Sequence, residues 1–257
     1  MINCTFVFGT RPEAIKLAPL IIKLREVKFV NVEICVTGQH REMLTQVLDV
    51  FGITSDVDLR LMSHDQSLPD FLAKSISALN NYLKDSNADY VIVQGDPSTV
   101  LSASMAAFYN KRRVLHVEAG LRTANIYSPF PEEMNRRLTS QLAYHHFVPT
   151  ETSKQNLLKE GYAEETITIT GNTAIDSLLY VKNKLNEGIL HPTSDVFEVV
   201  GESQAQYDGY ILITGHRREN FGDGFLNICE AIELSARKHP NYLYIYPVHL
   251  NPNVHSI

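Results

Sequence analysis

The chain has 257 residues, 44% of them hydrophobic and 20% charged, with 29 acidic against 23 basic side chains and a net charge of −6. That is ordinary globular composition, long enough to bury a core without disulfide or metal staples, and its acidic balance gives no electrostatic footprint for nucleic acid. No apolar run approaches the ~18–20 residues of a membrane span, residues 1–8 carry no basic leader region, and Cys4, Cys35 and Cys229 sit singly in apolar runs without Cys-x-x-Cys spacing. The sequence therefore reads as a cytoplasmic protein of a reducing compartment, with no membrane partner, no disulfide frame and no zinc site.

Short β-branched or aromatic runs alternate with longer amphipathic stretches. Residues 2–8 read as a strand and 12–25 as a helix with apolar positions Ile15, Leu17, Leu20, Ile21 and Leu24. A strand over 32–37, helices over 41–51 and 68–84, a strand over 90–93, a small-residue helix over 98–109 and a strand over 114–117 follow. Next come a helix over 132–143, a strand over 146–148, a helix over 152–160 and a strand over 167–169. This β-α alternation predicts a mostly parallel sheet with helices on both faces, and the continuous apolar run Tyr90-Val91-Ile92-Val93 suits a strand buried on both sides. After 172–185 the pattern breaks into a polar stretch, 186–208, before a strand over 210–214, a helix over 225–238 and a strand over 242–246. The reading is a domain over 1–175 and a second α/β unit over 176–257. That unit is smaller than the ~100–150 residues of a doubly wound domain, so the sequence reads as cut short.

In open parallel sheets ligands bind beyond the carboxyl ends of the strands, so the residues that follow each strand are the informative ones. The first strand is followed by Gly9-Thr10-Arg11-Pro12-Glu13-Ala14-Ile15-Lys16, a tight turn into a helix N-terminus whose N–H groups, with Arg11 and Lys16, make an anion site or merely a capped, solvated turn. It matches neither the G-x-G-x-x-G nor the G-x-x-x-x-G-K-[ST] loop. Gln39, His40 and Arg41 follow the second strand, as sugar or phosphate contacts or a polar helix cap. Asp96 follows 90–93 and, with Pro97 behind it, reads first as an N-cap. Glu118 follows 114–117; capping does not explain it, although a Glu118–Arg122 pair would. Glu132/Arg136 and Glu133/Arg137 have the i,i+4 spacing of surface pairs on a helix start fixed by Pro129 and Pro131. In the second unit, His216, Arg217 and Arg218 beside Gly215 and Gly222 read as a phosphate grip, and His249 ends the last strand. Together, carboxylates at one set of strand ends and a His/Arg cluster at the other suit a ligand with a diphosphate and a carbon-bound proton to remove.

These segments, with His116-Val117-Glu118-Ala119-Gly120-Leu121-Arg122-Thr123, Pro131-Glu132-Glu133 with Asn135-Arg136, Thr170-Gly171-Asn172-Thr173 and Gly215-His216-Arg217-Arg218-Glu219, resemble the non-hydrolysing UDP-N-acetylglucosamine 2-epimerases along the whole chain. The resemblance implies an α/β, GT-B-like fold of two Rossmann-like doubly wound parallel-sheet domains, the second incomplete in this chain. It implies interconversion of UDP-GlcNAc and UDP-ManNAc with no redox cofactor or metal, through anti elimination of UDP to a 2-acetamidoglucal and re-addition on the other face. It implies that Asp96, Glu118 and Glu132 are the acid/base carboxylates, that Arg136 is their positioning partner, and that His216 and Arg11 meet the diphosphate; Lys16 and Arg217 join the substrate-binding set from the reading of their own turns. Gln39, His40 and His249 fall near the substrate or an allosteric UDP-GlcNAc site, and a homodimer is expected. Pro97-Ser98-Thr99-Val100 departs from the run of threonines usual after the aspartate. A GT-B glycosyltransferase and a non-catalytic sugar-nucleotide sensor are the competing readings.

Overall fold

The structure, a computed structural model, describes residues 1–38, 41–63, 66–192, 200–201, 206–215 and 223–247. They belong to two compact units, Met1–Leu190 and His191–Ile257. In the first, strands β1 (Ile2–Phe8), β2 (Val30–Val36), β3 (Val57–Asp58), β4 (Tyr90–Gln94), β5 (Arg113–Val117), β6 (Ala143–Val148) and β7 (Ile167–Ile169) form one sheet in the order β3-β2-β1-β4-β5-β6-β7. Each neighbouring pair is parallel. The winding reverses between β1 and β4, which is where a doubly wound sheet opens a crevice at its carboxyl edge.

The alternation of side chains along each strand builds two cores, one on each face. Phe6, Phe8, Ile34, Val36, Ile92 and Val117 point to one face, where Leu17 and Ile21 of α1 (Arg11–Arg25) and Leu44 and Leu48 of α2 (Arg41–Val50) cover them. Val7, Cys35, Val91, Val93 and Val114 point to the other, under Leu79 and Leu83 of α3 (Leu68–Asp85) and Val100, Ala103, Ala106 and Ala107 of α4 (Ser98–Tyr109). The small side chains of α4 let it lie close to the sheet beneath α3 and α5 (Glu132–Leu142), and its buried Ser102 and Ser104 hydroxyls satisfy themselves on the carbonyls of Ser98 and Val100, both at 2.8 Å. Cys4 and Cys35 are buried free thiols, and Cys229 is half-buried. Burial pushes the Cys35 thiol far above its ordinary range.

Two elements differ from the sequence reading. The two-residue β3 is too short to leave an apolar run. Helix α7 (Thr173–Asn186) lies in the first unit, because the Ser177 hydroxyl donates to the Ile15 carbonyl of α1 and Tyr180 stacks on Phe51 with ring centroids 5.4 Å apart. The compact unit therefore ends at Leu190 rather than near 175. In the second unit, β8 (Gly209–Leu212) and β9 (Tyr242–Ile245) pair in parallel, joined through α8 (Asp223–Lys238), whose Ser235 hydroxyl lies 2.8 Å from that of Tyr244. Among the described residues no helix is long and apolar enough to cross a membrane.

The chain leaves β5 through Gly120, at φ +82°, pressed against α6 (Glu151–Lys159): a Cβ there would lie 2.4 Å from the Ser153 carbonyl oxygen. Gly161 has a similar φ of +88° and nothing within 4 Å. Gly161→Ala is expected to cost about 1 kcal/mol, the strain of the left-handed backbone alone, and Gly120→Ala at least ~2 kcal/mol more, because backbone must move. Urea unfolding of both variants checks this; equal losses would assign the whole cost to φ.

Candidate active site

Three strand ends and one helix start meet at the carboxyl edge beside the β1/β4 reversal. From β1, the turn at Gly9–Thr10 opens α1 with Thr10 as its N-cap, and the Glu13 side chain folds back beneath it. Its Oε2 accepts from the backbone N–H of Gly9 (3.1 Å), that of Thr10 (2.8 Å) and the Thr10 hydroxyl (2.7 Å). Glu13 is fully buried, and its other oxygen has no partner among the described residues. From β4, Gln94 runs into Gly95 at φ +75° and then Asp96. His116, buried in β5, holds that turn: its Nε2 lies 2.7 Å from the Gly95 carbonyl, so Nε2 carries the proton. Burial first, with the cationic neighbours Arg122 and Arg136 adding, pushes the His116 imidazole down to about 4, so it stays neutral near pH 7.

Asp96 is not the N-cap of α4. Pro97 stands there, and the Asp96 carboxylate is spent instead on Arg136, whose Nη2 donates to Oδ2. Asn135 Nδ2 donates to the Asp96 carbonyl at 3.0 Å, so α5 grips both the backbone and the side chain of this residue. Arg136 also reaches Glu133 (3.4 Å), not Glu132 as the i,i+4 spacing suggested. Glu133, read from sequence as a surface acid, is fully buried: Arg137 Nε binds Oε1 at 2.7 Å and the Thr123 N–H donates to Oε2 at 3.1 Å. Two arginines and a backbone donor compensate that buried charge. Glu132, the first residue of α5, is half-buried and makes no hydrogen bond among the described residues. Acids at this position face the positive end of the helix.

Glu118 follows β5 at φ +61°, a left-handed conformation that costs a non-glycine residue roughly 1–3 kcal/mol and is held only where surroundings over-determine it. An extended residue after Val117 would point to the α4 face. The left-handed turn brings the carboxylate back to the α1 face, where Lys16 Nζ binds Oε2 at 2.5 Å and Gln94 Nε2 donates to the same oxygen. The Glu118–Arg122 pair, the alternative reading of this acid, is not formed, for the same reason. Arg122 instead grips Glu160 bidentately at 2.7 and 2.8 Å, which lowers the Glu160 carboxyl below its ordinary value. Lys16 is therefore a partner of the acid rather than a free cation, whereas Arg11 is exposed at the first turn of α1.

Of the residues singled out from sequence, Asp96, Glu118, Glu132, Arg136 and Lys16 thus gather on one edge, with Arg11 at the adjacent helix start. Gln39, His40, His216, Arg217 and His249 lie outside the described residues. Gln94, Glu13, Glu133, Asn135 and His116 were not singled out as site residues. The signal for Gln94 was a polar residue closing an apolar strand; for buried Glu133 there was none.

A family model described as UDP-N-acetylglucosamine 2-epimerase matches residues 22–257. The UDP-N-acetylglucosamine 2-epimerase of Campylobacter jejuni is 48% identical over 250 residues, and that of Escherichia coli K12 is 49% identical over 254. Each alignment covers 96% of this chain and 65% of the relative, so the chain spans about two thirds of the relatives' length. The solved Neisseria meningitidis UDP-GlcNAc 2-epimerase, bound to UDP-GlcNAc, superposes with a TM-score of 0.89 at 46% identity, covering 99% of this chain and 68% of that one. The α/β, GT-B-like fold class expected from the sequence is the fold of these relatives.

Glu13 sets a pH dependence of its own. Burial, reinforced by the charge of nearby Asp96 and opposed by the Thr10 and Gly9 hydrogen bonds, raises its carboxyl from 4.5 to about 7. The fold therefore favours the protonated form. The stability this contributes is whole below pH ~4.5 and is lost as pH rises through about 7, a difference on the order of 3 kcal/mol. Glu13→Gln is expected to flatten this loss. Unfolding free energies of the parent and the variant, compared from pH 4.5 to 8, check it; parallel curves would refute a proton on Glu13.

Proposed function

The chain belongs to the UDP-N-acetylglucosamine 2-epimerase family, and from that premise we propose that its parent enzyme reversibly epimerises C2 of UDP-N-acetylglucosamine to give UDP-N-acetylmannosamine. The observation that carries the reading is the pair of acids at adjacent strand ends, Asp96 and Glu118, each held by a cation on one oxygen. The reaction has this need. The C2–H is not acidic, so a carboxylate takes the proton as the C1–O bond breaks. The electron pair of the C–H bond forms C1=C2, and that of the C1–O bond leaves with UDP. The UDP oxygen then re-adds at C1, and a second acid delivers a proton to the opposite face of C2. Two or more carboxylates around one carbon satisfy this; a glycosyl transfer needs no such set.

In this reading Asp96, Glu118 and Glu132 share the proton transfers, with Arg136 holding Asp96 in place, and Arg11, His216 and Arg217 meet the diphosphate, whose developing charge cations stabilise. The N. meningitidis relative binds UDP-GlcNAc in its solved structure, which supports the substrate. The resemblance extends the reading to a cytoplasmic homodimer serving polysaccharide synthesis, with Gln39, His40 and His249 near the substrate or near a site where UDP-GlcNAc acts as an allosteric effector.

Incubated with UDP-GlcNAc in D2O, a chain extended to the full length of the relatives is expected to form UDP-ManNAc with deuterium at C2. Proton NMR and mass spectrometry read the product, and the 257-residue chain is assayed alongside. Absence of C2 exchange in the extended chain would sink the proposal, and UDP release that requires an acceptor would favour a glycosyltransferase. Asp96→Asn and Glu118→Gln are each expected to lower kcat by at least ~10²-fold; near-normal rates would remove them from proton transfer.

A further inference from the structure

Glu118 is served unequally at its two oxygens. Lys16 and Gln94 both bind Oε2, while Oε1 makes no hydrogen bond among the described residues and is not sealed from solvent. Gln94 is built for this contact. It is 3% exposed, it closes β4 opposite Val117 of β5, and strand alternation sends its side chain to the α1 face together with Ile92. Its amide N–H can only donate, so it demands a lone pair on Oε2, as the Lys16 ammonium does. A proton arriving at Glu118 displaces neither donor if it settles on Oε1.

We propose that Gln94 is a positioning residue that, with Lys16, reserves Oε2 of Glu118 as a fixed acceptor and leaves Oε1 as the single oxygen through which Glu118 takes up and returns a proton. This rests on the reading of Glu118 as an acid/base group, but the placement of the proton does not depend on the substrate. The left-handed backbone at Glu118 and the two donors act together: the backbone aims the carboxylate at the α1 face, and Gln94 and Lys16 fix its rotation there. The amide adds what a lysine alone does not. A flexible ammonium is satisfied by either oxygen, whereas a buried amide fixed by its strand reaches one.

Two readouts test the proposal. In the 257-residue chain with 13C-labelled glutamate carboxyls, the Glu118 resonance, assigned by its loss in Glu118→Gln, is expected to move in Gln94→Met, which keeps the volume and removes the donor. An unmoved resonance in a folded variant would overturn the proposal, whatever the reaction. In the extended enzyme, Gln94→Met is expected to lower kcat about 10–100-fold with KM changed less than about threefold. Gln94→Glu, which presents an O–H donor only when protonated, is expected to regain rate relative to the parent as pH falls. Equal rates for Gln94→Met and parent, or a Gln94→Glu rate ratio independent of pH, would reduce Gln94 to a filler of space. Absence of C2 exchange in the parent together with a shifted Glu118 resonance would fail the epimerase reading and leave the placement of the proton standing.

Discussion

The structure depends on one constraint: β1 pairs in parallel with β2 on one side and β4 on the other, so the chain winds one way through α1 and α2 and the opposite way through α3 and α4. Because both faces are covered, the strands are apolar along most of their length, and the acids of this edge enter where the strands end. The same reversal keeps α1 and α4 from crowding the space beyond β1 and β4. Chemistry and packing are thus separated along the strand axis: Phe6, Phe8, Ile92 and Val93 hold the sheet, and the residues one to three places later are free to differ in kind.

Acids are costly to bury, and this edge gathers five of them: Glu13, Asp96, Glu118, Glu132 and Glu133. Four of them are handled by three physical means, and Glu132 stands at the positive end of α5. Glu13 is raised towards neutrality and takes three donors. Glu133 is ionically matched by Arg136 and Arg137. Asp96 and Glu118 each receive one cation and retain partial access to water, with side-chain exposures of 24% and 13%. The two fully buried acids brace the turn at Gly9 and the loop at Thr123, while the partly exposed ones remain able to meet a ligand.

Much of this was legible in the sequence, for reasons that can be named. Long apolar runs announce strands buried on both faces, and an acid such as Glu118 directly after one has no helix to cap. The turn at Gly9–Thr10 and the α5 start after Pro131 were equally visible. What stayed hidden depended on contacts distant in sequence. Asp96-Pro97 has the local look of a cap, and only the arrival of Arg136 from 40 residues away shows the carboxylate is used elsewhere. Glu133 and Arg137 have the spacing of a solvated pair, yet Glu133 is fully buried because Thr123 folds over it, while Arg137 reaches it from a partly exposed position. The assignment of α7 to the first unit rests on Ser177 meeting α1 and Tyr180 meeting Phe51, just past α2, which no periodicity announces.

The contact between Gly120 and Ser153 has a consequence for how this edge ages under mutation. With backbone against backbone, and Asn156 Nδ2 holding the Gly120 carbonyl at 3.0 Å, helix α6 is riveted to the turn that carries Glu118. Among the described residues Asn156 makes no hydrogen bond to Glu118 or to another acid of the cluster, so by its bonds it reads as neutral scaffold. Mechanically it is the anvil on which the acid is set. Drift in α6 is passed through Gly120 to the turn that sets the Glu118 carboxylate, so a substitution in a helix outside the acid cluster bears on where that carboxylate lies.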